Sequence, residues 1–403
     1  MTDAETLAQR VREGELRLYE LEDHADPDTA ATARRRLLAA ETGADLSTVG
    51  DYGFDAGEAD SNIENMVGTA QVPMGVVGPL PVDGGAADGE HYLPLATTEG
   101  ALLASVNRGV SAIRTAGGAT ARVLKSGMTR APVFKVEDVA AAGEVSAWVR
   151  DHVDRLAAAA EGTTSHGELQ EVTPYTVGDN VFLRFSYDTK DAMGMNMATI
   201  ATEAACEVVE SETPAELVAL SGNLCSDKKP AAINAIEGRG RTVSADVLLP
   251  HEQVQQRLDT TTDAIVEANT RKNLVGSAKA GALGFNAHAA NVIAAAFLAF
   301  GQDAAQVVEG ANTITTVDAR DDGLYASVTL SSLEVGTVGG GTGLPTQSEA
   351  LEVVGYGGGG DPPGSNADAL AEVIAAGVLA GELSLLAALS SRHLSSAHAE
   401  LGR

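Results

Sequence analysis

The sequence predicts an α+β protein in which a large domain is interrupted by a smaller inserted one. Three observations carry this. Residues from about 131 to 220 alternate strand-like and helix-like segments, whereas the flanking chain is punctuated by glycine-rich runs. A long apolar stretch, Gly276 to about Gln306, has the length to run as a helix through the middle of a domain. Hydrophobic residues make up 44% of the 403, enough for more than one core, although aromatics are only 4%.

In chain order, residues 1–45 read as a polar helical arm, two short helices broken at Asp26-Pro27-Asp28. Residues 46–130 open the large domain. Here "IENMVGTAQVPMGVVGPLPV" gives short strands and tight turns, and "LPLATTEGALLASVNRGVSAI" a strand running into a helix. Thr97 or Thr98 is the expected N-cap of that helix, with Glu99 in its first turn. The insert, 131–220, is expected to hold a strand at Pro132–Val136, a helix at Val145–Ala160 and a polar loop at Glu161–Glu171. An alternating strand, Val181–Phe185, follows, and then "DAMGMN" turns into an Ala-rich helix ending near Glu210. Residues 221–403 complete the large domain, with a last strong helix from Ala367 to about Ser390 and a polar tail to Arg403.

Charge excludes several partners. Lys and Arg total 27 against 56 Asp and Glu, a net charge of −29. Such a field repels nucleic acid and anionic membranes and fits a hydrated surface suited to high salt, where self-repulsion is screened. Two cysteines, Cys206 and Cys225, argue for a reducing compartment. The N-terminus, "MTDAETLAQRVREGE", has no basic-then-apolar signal pattern. The nearest approach to a membrane span, Gly276–Phe300, contains Lys279, Asn286, His288 and Asn291. A soluble cytoplasmic protein is expected.

Four positions stand out chemically. Lysine occurs only seven times, yet Lys228 and Lys229 are adjacent in "SGNLCSDKKPAAINAIEGRGR". Paired like charges are costly unless an anion lies opposite, and a lysine at a reacting carbonyl stabilises the oxyanion formed there. Glu99, in "ATTEGALLASVNRG", suits proton donation if burial among Ala and Leu raises its proton affinity; otherwise it complements a helix dipole. Asp303, in "GQDAAQ", ends an apolar run, either as a helix stop or as the partner of a buried group. His398, in the tail, is an inert surface residue unless the tail folds over a site, where it could protonate a leaving thiolate.

Other signals fail. Gly355, Gly357 and Gly360 spell G-x-G-x-x-G, but Asp361-Pro362-Pro363 stands where a helix should open, so a dinucleotide fingerprint is rejected. There is no P-loop. His393 and His398 have no companion ligands, so no metal site is expected. Cys225 has no nearby base in sequence and reads as a structural thiol.

Seven runs occur together in one order: "ENMVG…VPMGVVGPL", "LPLATTEGALLASVNRG", "GMTRAPV", "DAMGMNM", "SGNLCSDKKPAAINAIEGRGR", "GQDAAQ" and "GTVGGGT". This order, spanning about residues 60 to 400, resembles 3-hydroxy-3-methylglutaryl-CoA (HMG-CoA) reductases. The resemblance implies an α+β fold, with a large HMG-CoA-binding domain around a long central helix, taken as Gly276–Gln306. It also implies a small inserted ferredoxin-like domain that binds the dinucleotide. The implied activity is four-electron reduction of HMG-CoA to mevalonate with two NADPH and release of CoA. By motif, Glu99, Lys228, Asp303 and His398 match the catalytic residues, and Arg130, Ser221, Asp227 and Lys229 those that hold the HMG group. Asp191, Met193, Gly194, Met195, Asn196 and Arg403 match cofactor contacts, and the Met-Asn form of the loop resembles class I, NADPH-using members. A homodimer or homotetramer with a site at the subunit interface is implied. The end at Arg403 implies loss of the phosphorylated serine that follows in animal members. Two other functions compete: a CoA-dependent acyl transferase using Cys225, and a non-catalytic CoA-binding protein.

Overall fold

Residues 3–391 are described by a computed structural model. Ten strands form one continuous, bent sheet: β1 (Met74–Gly84), β2 (Asp88–Ala96), β3 (Ala119–Arg130), β4 (Val133–Lys135), β5 (Glu168–Val177), β6 (Asn180–Asp188), β7 (Glu216–Ala219), β8 (Gly240–Leu249), β9 (Thr313–Arg320) and β10 (Gly323–Leu333). The main path runs β7-β4-β6-β3-β8-β10-β9. β3 is the shared strand. Its first part, Thr120–Gly127, pairs antiparallel with β8, and its last three residues, Met128–Arg130, pair with β6. β3 therefore joins the two halves of the molecule through continuous backbone.

On the β4 side, β4-helix-β5-β6-helix-β7 gives the strand order β7-β4-β6-β5, every neighbour antiparallel. Its core packs Phe134, Val145, Leu156, Phe185 and Cys206 between the strands and the helices. The expected single helix Val145–Ala160 is two, Val139–Asp151 and Val153–Glu161, which meet at His152. Asp138 starts the first by accepting the N–H of Ala141 at 2.8 Å. Strand β5 begins inside the segment expected to be a polar loop.

A second core fills the other half, from Val77 to Ala387. At its centre lies one 26-residue helix, Ser365–Ser390, with Leu370, Val373, Ile374, Val378, Leu379, Leu383 and Leu386 all buried. Each such side chain contributes about 1.5–3 kcal/mol relative to exposure. By length and composition this helix could cross a membrane, but 83% of its most apolar window is buried inside the protein. Two glutamates on it are buried as well. Glu372 accepts the backbone N–H groups of Gly85, Ala86 and Ala87, and Glu382 accepts those of Ala287 and His288. Both satisfy loop donors that the core would otherwise orphan.

The central helix is thus not Gly276–Gln306. That stretch is broken into a π-helical turn ending at Gly276, a single turn Ser277–Ala280, a loop, and a helix Ala289–Ala299. Gly281, left-handed at φ 71°, ends the single turn. Asn286 then fixes the break: its amide donates to the carbonyls of Ala311 and Thr313, and its carbonyl accepts Ala289 N–H at 3.1 Å. Hydropathy alone does not separate this stretch from Ser365–Ser390. The Gly-Asn punctuation does.

The N-terminal arm has its own small core of Leu7, Leu21, Ala30 and Leu37. Its longer helix, Pro27–Thr42, starts where Asp26 accepts Thr29 N at 2.9 Å and Pro27 occupies the first turn.

Candidate active site

The loop Ser221–Lys229 takes a form that its side chains resist. Asn223, Ser226 and Lys228 all have positive φ, at 63°, 47° and 57°. For non-glycine residues such conformations cost of order 1–3 kcal/mol each and persist only where neighbours over-determine them. The neighbours are buried polar groups. Asn234 donates to Ser226 O at 2.9 Å, a Glu309 oxygen accepts the Lys228 N–H, and Arg239 pairs with Asp227 Oδ1 at 3.1 Å. Gln306 adds a bond to Asp227 Oδ1 at 3.4 Å.

So held, Lys228 reaches Asp303, with Nζ and Oδ2 2.7 Å apart. The aspartate is itself fixed: its Oδ1 caps Ala305 N at 3.1 Å at the start of the short helix Ala304–Gln306. The hydrogen bond that its ammonium donates to Asp303 holds Lys228 above its ordinary pKa, so it stays cationic. Both side chains remain partly exposed and can meet a ligand.

The pair borders a cleft of about 770 Å³ lined by the loop 192–197 and the glycine run 336–342. These segments interlock. Gln302 and Gly336 exchange two hydrogen bonds of 2.8 and 2.9 Å, and Ala192 bridges to Val338. A Cβ on Gly336 would stand 2.3 Å from Met193 N, so only glycine admits this approach. Gly194, at φ 88°, opens the helix Met195–Glu212 with no side-chain cap, leaving the helix's first N–H groups beside the cleft. Uncapped helix donors next to open glycine backbone suit the phosphates of a dinucleotide. Met193, Gly194, Met195 and Asn196 all line this cleft.

Asp191, expected to contact the cofactor, is buried, and its carboxylate accepts the N–H groups of Gly360 (2.9 Å), Gly364 (2.7 Å) and Ala367 (3.1 Å). Gly360, the last glycine of the run that spelled a dinucleotide fingerprint, is one of these donors, beside the N-terminus of the central helix. The anion it holds is internal.

The N-cap expected just before Glu99 is corrected. The helix after it begins at Leu102 with Ala101 as N-cap, so neither Thr97 nor Thr98 caps it. Thr97 Oγ1 instead accepts the Glu99 N–H at 3.0 Å within a turn. Glu99 is exposed. Its Oε1 accepts from Asn291 at 3.2 Å, and Asn291 also meets His288 Nδ1 at 3.4 Å. Within one chain Glu99 makes no hydrogen bond to Lys228 or Asp303.

The other expected contacts are scattered around the loop. Arg130, at the end of β3, donates to Thr199 Oγ1 at 3.1 and 2.6 Å. Ser221 meets Cys225 Sγ at 3.5 Å, and Lys229 Nζ reaches Asp227 O at 3.0 Å. Cys225 itself is fully buried; burial pushes its thiol up, but bonds from Ser221 and Ala131 and the nearby Arg130 and Arg239 outweigh it and bring it below its ordinary pKa. His398 and Arg403 lie outside the described residues.

Sequence reasoning missed the group beneath the loop. Arg239 has no exposed surface, and its guanidinium faces Asp227, Glu309 (3.6 Å) and Glu334 (2.9 Å), with Met195 Sδ 2.7 Å from Nη2. Burial raises the pKa of both Glu309 and Glu334. The one signal available was an arginine between two glycines, Gly238 and Gly240, both at positive φ in the structure.

A family model for hydroxymethylglutaryl-coenzyme A reductase matches residues 30–403. The chain belongs to this family. It is 72% identical over 403 residues to the 3-hydroxy-3-methylglutaryl-coenzyme A reductase of Haloferax volcanii, with all of both chains covered. To that of Pyrococcus abyssi it is 51% identical over 407 residues, again covering both chains. In fold, this reductase-family chain is similar to a class II 3-hydroxy-3-methylglutaryl-CoA reductase from Streptococcus pneumoniae bound to NADPH. The TM-score is 0.67 at 21% identity, with 93% of this chain and 100% of the other covered.

Proposed function

We propose that the cleft between the loop 192–197 and Lys228 is where this enzyme reduces HMG-CoA to mevalonate with NADPH. NADPH-dependent reduction of HMG-CoA is the activity of the family to which the chain belongs. The observation that carries the site is the Lys228–Asp303 pair on the rim of a glycine-lined cleft. Met193–Asn196 and Gly336–Thr342 would hold NADPH, which would supply the hydride for each of the two reductions. Everything else is done by side chains.

Lys228 donates to the thioester oxygen as negative charge develops there, and Asp303 keeps the lysine cationic. The hemithioacetal collapses to mevaldehyde and CoA thiolate, and His398 protonates the sulfur. In the second reduction Glu99 supplies the proton to the aldehyde oxygen. Arg130, Ser221, Asp227 and Lys229 hold the HMG group. That Glu99 bonds Asn291 and not Lys228 within one chain supports a site completed across a subunit interface, in a dimer or tetramer, with Glu99 and Lys228 from different subunits. The "DAMGMNM" loop supports a class I enzyme, and the order β7-β4-β6-β5 supports a ferredoxin-like dinucleotide module over 131–220. Acidic surface and free cysteines fit a cytoplasmic enzyme working in high salt. Burial of Cys225 argues against an acyl transferase that uses this thiol.

The test follows NADPH absorbance with HMG-CoA in high salt, repeated with NADH. Two NADPH oxidised per mevalonate is the expected result; binding without oxidation would remove the catalytic reading.

A further inference from the structure

Lys228 is a lysine in the left-handed region whose backbone N–H would be an orphan donor were it not for one buried carboxyl. That carboxyl, Glu309, lies on the short helical turn Val307–Gly310, which follows directly from Asp303 and Gln306. It has no exposed surface, and its Oε2 has no hydrogen-bond partner. Behind it stands Arg239, equally buried, whose Nη1 also bonds Glu334 Oε1 and whose Nη2 reaches Asp227 and Met195. One guanidinium thus joins the lysine loop, the segment after Asp303, the end of β10 and the loop that lines the cleft.

We propose that Glu309 is a positioning residue for Lys228: its Oε1 takes the N–H of the left-handed lysine, and Arg239 fixes that carboxyl from behind. The aim of the ammonium is then set by where one oxygen stands, not by the charge on Glu309. Two features support geometry over charge. Three carboxyl groups share a single guanidinium, and buried charge left unpaired is expensive, so the cluster does not need all three ionised. The bond to Lys228 N uses only the acceptor oxygen, which a neutral carboxyl or an amide supplies equally well.

The inference rests on the proposed role of Lys228 and is tested beside it. Glu309→Gln keeps the oxygen and removes the charge; Glu309→Asp keeps the charge and withdraws the oxygen by one methylene. In the full-length oligomer, Glu309→Gln should keep turnover within about threefold of wild type. Glu309→Asp should lose about 10²-fold in kcat, with KM for NADPH little changed, as expected when a reacting group is misplaced by an ångström. Rates are normalised to folded protein by circular dichroism, so a variant that merely folds poorly does not mimic the effect. The reverse ranking, or two variants both as active as wild type, would overturn the inference. Lys228→Ala is assayed in parallel. If that variant is active, the catalytic reading fails first; if it is inactive while Glu309→Asp is fully active, only the positioning role is lost.

Discussion

Asp303 holds Lys228 by one carboxylate oxygen, at 2.7 Å, while its other oxygen caps the helical turn that the aspartate begins. The lysine is therefore aimed by a group that cannot rotate away without losing its cap. Replacing Lys228 with alanine removes the donor to the developing oxyanion, a loss that typically costs about 10²–10³-fold in kcat. Turnover of Lys228→Ala should fall by that amount, with NADPH binding by fluorescence titration preserved. Retention of more than about a tenth of wild-type kcat would remove the lysine from this role.

Asp191 leads to a different kind of expectation. Its carboxylate satisfies three buried N–H groups at the start of the central helix, and leaving such donors unpaired costs about 1–3 kcal/mol. Asp191→Ala should lower the urea midpoint accordingly, and Asp191→Asn, which keeps one acceptor oxygen, should fall between. A direct cofactor contact would show the opposite pattern, a raised KM for NADPH with an unchanged midpoint.

The subunit origin of Glu99 can be read from mixing. Glu99→Gln and Lys228→Ala chains, each inactive alone, are unfolded together and reassembled. If each site takes Glu99 from one subunit and Lys228 from the other, a mixed pair contains one intact site, and random two-fold pairing restores about a quarter of wild-type activity. If both residues serve a site from the same chain, mixing restores nothing.

How much of this was legible in the sequence varies with what kind of contact is involved. Lys228 and Asp303 could be singled out because each violates its local context: a paired lysine in a lysine-poor chain, and an aspartate closing an apolar run. The cleft-lining loop was legible as a motif. The internal partners of Asp191, inside that same motif, were not legible, because they are backbone N–H groups about 170 residues away and no side-chain pattern marks those. The central helix was misplaced for a related reason. Gly276–Gln306 and Ser365–Ser390 are both apolar, and only the break at Gly281, Gly284 and Asn286 tells them apart. Arg239 was invisible because Glu309 and Glu334 become its neighbours only through the pairing of β8 with β10 and the turn after Asp303.

That buried cluster sets a pH dependence whose sign can be worked out. Burial raises the pKa of Glu309 and, more strongly, Glu334 above the ordinary value of 4.5. Each therefore binds its proton more tightly folded than unfolded. Between 4.5 and the raised folded values the native state carries more protons, so stability must fall as pH rises. The contribution is fully present below the unfolded pKa and is lost as pH climbs through the folded one. Glu334→Gln cannot titrate, and it keeps an oxygen for Arg239. Its urea midpoint, measured at constant high salt from pH 4.5 upward, should decline less steeply than that of the wild type. Parallel curves for the two proteins would mean that Glu334 is ionised throughout, with Arg239 alone compensating its burial.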